Sequence, residues 1–561
     1  MKKFSFLAAI LLFFPAGGHA FTSCDISAQT PIKLLSKELS RALKALRKQH
    51  PPFYYLAYTY TETEEYTLSI EEGGVRLERT RPENELTVQI RAGSPKLDNT
   101  RTLKNDRTLY DLTTQDMPSP NGKAFTKAVW RATQEAAEQA QQELSRVQAD
   151  AQTASTRTDN SPDFAFPPRS TFCAEAPALQ FDIPKIKQLL TRASLLTKGK
   201  AFVLDSEFAF TYQTGSRYFV DSVGTQLKTP IRLARLRYSL SGQTADGSRL
   251  ERFQAYDVLT QNQLPSEEQI LADVRQSLAE LEALTHAPEA EPITVPAILK
   301  NRAMAVFVHE VLGHRVEGHR QKEDDFGKTF TDKVGQQVVS PLLTIVDDAT
   351  LPAFNNIPLR GFYQYDDEGV RARPVVLVEN GILKNFLMSS SPIHGFPTSN
   401  GHGRAGQGRR PVARMGNTRV IASNTVPYDQ LEQQLIKEIK AQHKPYGYII
   451  EDLSGGFTMT ETYFPQTFKL TPTLAYRLNP DGRKEAVSGA DMVGTPLVSF
   501  NEIIAAADDY AVFNGSCGAE SGWVPVSGIA PSVLLKRLEI EKAGKSRVKP
   551  PVLPPPFSEE K

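Results

Sequence analysis

Only three cysteines stand in 561 residues, so disulfides cannot be what holds a chain of this length together. Charge of either sign is not in excess. The 65 basic and 64 acidic residues leave no field to draw nucleic acid or an anionic membrane surface over distance. Beyond the first twenty residues no stretch is apolar enough to span a bilayer, which excludes an integral membrane segment in the remainder of the chain. No internal repeat is present. What remains is a globular chain too long for a single hydrophobic core, and its length predicts two domains.

The N-terminus carries Lys2 and Lys3, an apolar run from Phe4 to Phe14, and Gly18-His19-Ala20, with small residues where a leader peptidase cuts. Residues 1–20 are read as a signal peptide, and the destination as the periplasm. A membrane anchor is the alternative, but the run is shorter than the ~20 residues a spanning helix needs. A lipid on Cys24 is another, although Phe21-Thr22-Ser23-Cys24 matches the leucine-first lipoprotein box poorly. An odd cysteine count in an exported chain asks which two pair. The reading is a Cys24–Cys173 disulfide with Cys517 kept as a thiolate; the alternative is three unpaired thiols.

The fold class expected is α+β in two domains. Residues 21–290 form an N-terminal α+β domain, residues 291–541 a mostly antiparallel-β C-terminal domain, and the Pro-rich residues 542–561 a disordered tail. Strand patterning begins at Phe53 and runs to about Gln89. An Ala/Gln/Glu-rich stretch over 122–152 predicts a long helix, with shorter helices at Ile183–Lys198 and from Pro265 to Thr285. The segment Ala287–Pro296, with three prolines and acidic spacers, reads as a linker. Past it the sequence predicts one apolar helix from Ala297 to about His314, then strands at 342–346 and 373–378. Asn380-Gly381 marks a hairpin turn, and Tyr428–Gln442 a further helix.

The apolar helix is where chemistry intrudes. In Ala303-Met304-Ala305-Val306-Phe307-Val308-His309-Glu310-Val311-Leu312-Gly313-His314, two histidines and a glutamate interrupt a buried face, and buried polar groups need partners. The pattern is close to His-Glu-x-x-His, in which two imidazoles one helical turn apart hold zinc and the glutamate acts as base. Here the spacing is five residues, and an ideal helix would set the two rings about 140° apart. A π-bulge or an early helix end beside Gly313 would bring them back together. A catalytic zinc needs a third protein ligand. Cys517, in the glycine-flanked Gly515-Ser516-Cys517-Gly518, ranks first, ahead of His319, Glu317 and Asp366-Asp367-Glu368. The competing reading makes His309 and His314 ordinary core histidines hydrogen-bonded by Glu310.

Other motifs carry less. Gly401-His402-Gly403-Arg404-Ala405-Gly406 has the letters of a dinucleotide loop without the preceding strand or the following helix, so no such cofactor is expected. Its neighbours Arg404, Arg409 and Arg410 read as a solvated or site-rim feature. Asp347-Asp348 and Asp366-Asp367 read as turn residues rather than a calcium loop.

The segment His309-Glu310-Val311-Leu312-Gly313-His314-Arg315-Val316-Glu317-Gly318 resembles the metal helix of the TldD/PmbA family of metallopeptidases. Phe326-Gly327-Lys328, Val338-Val339-Ser340-Pro341, Asp366-Asp367-Glu368-Gly369, Glu379-Asn380-Gly381, Arg414-Met415-Gly416-Asn417-Thr418, Cys517-Gly518 and Val524-Pro525-Val526 follow in the family's order. The resemblance covers about residues 290–540 specifically and the N-terminal half only in general character. It implies that His309, His314 and Cys517 hold Zn2+ and that Glu310 activates water, as in the catalytic, TldD-like branch. Glu317 is expected to orient a histidine from behind. The resemblance further implies a dimer, either of this chain or with a metal-less family partner, that binds unfolded peptide through its backbone with little side-chain preference. The expected function is a zinc-dependent peptidase in an exported compartment. A zinc-containing peptide-binding or assembly factor that does not cut is the alternative. A DNA-associated regulator is excluded by export and by charge.

Overall fold

The computed structural model describes residues 21–103, 111–153, 159–322, 327–453, 455, 457–458 and 467–544. The expected signal peptide, Phe326 of the family pattern and the tail beyond Gly544 lie outside the described residues. The architecture is α+β, with one large sheet in the N-terminal half and two in the C-terminal half.

The N-terminal sheet has nine strands, and its backbone is two very long hairpins. Phe53–Glu71 pairs with Gly74–Ser94, and Asp205–Asp221 with Gln226–Gln243; the two hairpins join through Phe53–Glu71 and Asp205–Asp221. Four helices cover the sheet: α1 (Thr30–Leu46), α2 (Gly122–Thr153), α3 (Ile183–Ser194) and α4 (Glu267–His286). Each is amphipathic and buries one stripe. Leu35 and Leu39 of α1 meet Phe125 and Val129 of α2 over one part of the sheet, while Ile186 of α3 and Val274 of α4 cover another. Asp182 caps α3 by accepting the Lys185 amide at 3.0 Å, and Ser266 caps α4 from the Gln269 amide at 3.2 Å.

The linker and helix expected around residue 290 are corrected by the structure. Ile293–Leu299 is a strand at the centre of a second nine-stranded sheet, antiparallel to Val533–Lys542 on one side and parallel to Gly447–Leu453 on the other. Pro296 is tolerated because the register with Val533–Lys542 shifts between Val295 and Ala297, a bulge where no ladder amide is needed. The apolar run Ala297-Ile298-Leu299 is therefore strand rather than helix. A short continuous apolar run fits a buried strand and a buried helix equally well, and tertiary burial decides. The helix proper, α5, spans Asn301–Val311.

A six-stranded sheet forms the other layer, in the order Ile382–Leu383, Val375–Glu379, Leu343–Asp347, Asn417–Ala422, Gly522–Ala530, Ala511–Ala519. Asn380 and Gly381, both at positive φ (48° and 83°), make the hairpin turn at its start. Helix α5 lies between the two sheets: Ala303, Met304, Phe307 and Val311 share one core with Leu299 and Ile450 of the first and with Ile345, Val420 and Ala530 of the second. Helices α6 (Gly318–Lys322) and α7 (Tyr428–Ala441) follow, the latter packing Leu431, Leu435 and Ile439 on the outer face of the nine-stranded sheet. Among the described residues no helix is long and apolar enough to cross a membrane.

Cys24 and Cys173 form a disulfide across a loop of 149 residues. It ties the first strand, Thr22–Ser23, to Thr171–Glu175, and the Cys24 amide also donates to the Cys173 carbonyl at 3.2 Å. A sulfur so bonded has no valence left for a lipid. Closing so long a loop restricts the unfolded chain, so Cys24→Ser or reduction should lower stability by about 2–5 kcal/mol. Thermal melts with and without reductant check this, and an unchanged midpoint would mean that the bond contributes nothing.

Candidate metal centre

The run of apolar residues on α5 stops at His309, and the helix stops two residues later. Leu312 takes φ −108° and ψ −52°, and Gly313–Val316 tightens into a 3-10 turn. Two features enforce that break. Arg315, itself buried, turns its guanidinium back onto the carbonyls of Glu310 and Val311, both at 3.3 Å, engaging acceptors that a continuing helix would have used. Gly313 permits the close approach of Met415, whose Sδ would lie 2.0 Å from any Cβ at position 313. The break swings His314 back toward His309, so that their ring centroids lie 5.0 Å apart at 84°. No π-bulge is involved.

Cys517 meets them from the opposite direction, near the end of the edge strand Ala511–Ala519. Its Sγ lies 3.1 Å from Nε2 of His309 and 3.3 Å from Nε2 of His314, and the three donor atoms all fall within 4.8 Å of one another. A tetrahedral zinc with ligands at 2.0–2.3 Å needs donors about 3.5 Å apart, and this cluster fits that requirement. Among the described residues it is the one group of three or more His, Cys, Asp or Glu donors placed to hold an ion. A thiolate with two imidazoles favours zinc over the hard cations magnesium and calcium.

Electrostatics bind the cluster as tightly as geometry does. Burial opposes the thiolate of Cys517, yet the adjacent His314 and His309 hold its pKa well below the ordinary thiol range. Burial likewise opposes the His314 cation, but the Cys517 thiolate and then the Glu317 carboxylate raise its pKa well above the usual imidazole value. His309 is raised by the same thiolate against its own burial. The three neighbours thus favour the imidazolium and thiolate forms of one another.

Behind His314 stands Glu317, with no solvent exposure. Its carboxylate lies 3.3 Å from Nδ1 of His314, which leaves Nε2 of that ring to face Cys517. Arg320 donates to Glu317 Oε2 at 2.8 Å, and Arg414 Nε lies 3.4 Å from Oε1. Burial alone would raise this carboxyl. His314 and Arg320 outweigh it, and the pKa falls to about 2. Arg320 also donates to Glu520 Oε2 at 2.8 Å, and the other oxygen of Glu520 meets His319. Glu310, one residue after His309, is half-buried between the buried Val308 and Val311, close enough for its charge to favour the His309 cation.

The other candidates for a third ligand lie elsewhere. His319 pairs with Glu520, and Glu317 backs His314. Asp366 caps its own turn, accepting the amides of Glu368, Val370 and Gly403. Asp347 accepts from Thr418 Oγ1 and the Gly416 amide and faces His402 at 3.1 Å. The reading of Arg404 and Arg410 as solvated is corrected: both are buried, Arg404 donating to the Met415 carbonyl at 2.5 Å and stacking on Tyr363, and Arg410 donating to the Thr100 carbonyl. Arg409 is partly exposed and pairs with Asp111. Arg320, Arg414 and Glu520 are the surrounding charges that sequence reasoning did not single out. Arg414 at least lay in a recognisable motif, whereas nothing local marks Glu520.

A family model described as the PmbA/TldA metallopeptidase C-terminal domain matches residues 292–542. The metalloprotease TldD homolog of Haemophilus influenzae is 30% identical over 274 residues, 48% of this chain and 51% of that protein. The zinc metalloprotease TldD homolog of Saccharolobus solfataricus is 29% identical over 248 residues, 44% and 51% of the respective chains. The chain thus spans about half the length of the curated relatives it matches. Among solved structures, TldE from Thermococcus kodakarensis superposes with a TM-score of 0.61 at 16% identity, covering 91% of this chain and 100% of that one. A Thermotoga maritima protein named as a candidate modulator of a DNA gyrase gives 0.59 at 15%, covering 90% and 100%. At such identities the likeness is one of fold.

Two outcomes are expected of the centre itself. Gly313→Ala should cost about 1–3 kcal/mol through overpacking against Met415 and weaken zinc binding, checked by thermal unfolding and metal titration. Zinc must displace the proton that the thiolate holds on His314. Metal addition near pH 7 should therefore release protons into weak buffer, and affinity should rise with pH; zinc uptake without proton release would contradict the imidazolium–thiolate assignment.

Proposed function

The chain belongs to the TldD/PmbA family of metallopeptidases through its C-terminal half, and on that premise we propose that it is a zinc-dependent peptidase acting on unfolded or flexible peptides in an exported compartment. The observation that carries the reading is the convergence of His309, His314 and Cys517 on one point, with Glu310 beside it on the same helix. The name of the Saccharolobus relative supports zinc as the metal.

His309, His314 and Cys517 would hold the ion, with Glu317 orienting His314. When bound, zinc supplies Lewis-acid polarisation of the scissile carbonyl and acidifies water, tempered by the charge that the thiolate donates. Glu310 takes the proton from the attacking water and returns it to the leaving amine, a role suited to a carboxylate that is only half-buried. The strand carrying Cys517 is the last in its sheet, so part of its outer edge can pair with an extended peptide backbone. Such pairing reads backbone rather than side chains, which supports low sequence preference. Dimerisation, with a second copy or with a metal-less family member, is part of the same proposal, as is export through residues 1–20.

The test compares the purified chain with Glu310→Gln and Cys517→Ala, measuring zinc per subunit and cleavage of an unstructured peptide such as a casein fragment. Wild type should hold one zinc, as three ligands and an open position require. Glu310→Gln should keep the metal and lose roughly 10²–10⁴-fold in cleavage rate, and Cys517→Ala should lose the metal. Full cleavage by Glu310→Gln would remove Glu310 from the chemistry. Zinc bound without any cleavage would favour a peptide-binding factor instead.

A further inference from the structure

The two halves of the ligand set come from parts of the chain that share no backbone hydrogen bonds in the ladder of any sheet. His309 rides on α5 and His314 on the 3-10 turn that follows it, while Cys517 rides on an edge strand paired, among the described residues, only with Gly522–Ala530. An edge strand has a backbone ladder on one side only, and metal affinity is sensitive to displacements of fractions of an ångström. Something must fix the spacing between the thiolate and the imidazoles.

Arg414 is the largest fully buried side chain in the described structure. Its Nη2 donates to the backbone carbonyl of Cys517 at 2.8 Å. Its Nη1 donates to Ser521 Oγ at 2.9 Å and to the Gly522 carbonyl at 3.1 Å, gripping the turn that follows Cys517. Its Nε lies 3.4 Å from Glu317 Oε1, an ion pair without a hydrogen bond, and Glu317 in turn lies 3.3 Å from Nδ1 of His314. Its own amide donates to the His402 carbonyl at 2.9 Å, and the next residue, Met415, fills the space left at Gly313. One rigid fork therefore touches the strand of the thiolate ligand on one side and the carboxylate behind an imidazole ligand on the other. A lysine has a single donor centre and cannot span both sides. Burying a guanidinium costs several kcal/mol, a cost offset here by Glu317.

Resting on the zinc reading above, we propose that Arg414 is a positioning residue that sets the distance between Cys517 and His314, and thereby the affinity and geometry of the metal centre. It touches neither metal nor substrate and acts through the Cys517 backbone and through Glu317.

The experiment uses the full chain stripped of metal. Zinc affinity is measured by competition with a chromophoric chelator, and the cobalt-substituted centre is read at saturation through its thiolate-to-metal charge-transfer and d–d bands. Melting of the metal-free forms runs alongside. Arg414→Lys should weaken zinc about 10- to 100-fold, the range typical for a lost outer partner of a metal ligand, and should shift or weaken the cobalt bands even when saturated. A variant that binds zinc within threefold of wild type and gives superimposable cobalt bands overturns the proposal, whatever its melting point. If Arg414→Lys does not fold, Ser521→Ala decides, since it removes one anchor of the fork without leaving a buried charge. Several-fold weaker zinc with altered cobalt bands supports the assignment, and unchanged values overturn it. Wild type that binds no zinc would defeat the metal reading itself, and this proposal with it, an outcome distinct from normal binding by both variants.

Discussion

A thiolate held between two imidazoles at 3.1 and 3.3 Å, with a core of Val, Ala, Phe and Met on one side and buried charges on the other, is the interaction on which the rest of the C-terminal half depends. Each of the three groups would be costly to bury alone in its charged form. Together they offset one another, and the layers around them serve that convergence. The six-stranded sheet delivers the cysteine, the nine-stranded sheet supports α5 from behind, and the helix end turns the second histidine inward.

The centre is not self-sufficient, because buried charges propagate outward from it. His314 is backed by Glu317, Glu317 by Arg320 and Arg414, Arg320 by Glu520, and Glu520 by His319. Each member satisfies a neighbour that would otherwise be an unpaired charge in low dielectric. Networks of this kind are stable when complete and fragile when one member is lost. The same network explains why Arg320 and Arg414 are buried beside the site.

Much of the α+β architecture was legible in the sequence. The long helix over 122–152 follows from an Ala/Gln/Glu composition without breakers, and the Asn380-Gly381 turn from the only residue types that sit easily at positive φ on both central positions. Ile293–Leu299 was not legible. Its prolines and acidic neighbours resemble a linker, and Pro296 is accommodated by a bulge that exists only because Val533–Lys542 lies alongside. Arg404 and Arg410 misled for a related reason, since a run of basic residues between glycines looks solvated until a second layer of backbone closes over it.

The sequence by itself determined which donors were available. A His-Glu pair and a second histidine in an apolar helix, with Cys517 far downstream, supply groups suited to a soft or borderline metal, beside the competing reading of satisfied core histidines and other candidates for a third ligand. Whether two histidines five residues apart could face one ion was decided by the tertiary structure, through the Arg315 cap and the Met415 side chain that end α5 at Val311. The seat of Cys517 was decided in the same way. Donor identity is a property of side chains, which sequence states directly; convergence is a property of backbone paths separated by about two hundred residues, and only packing brings those paths together.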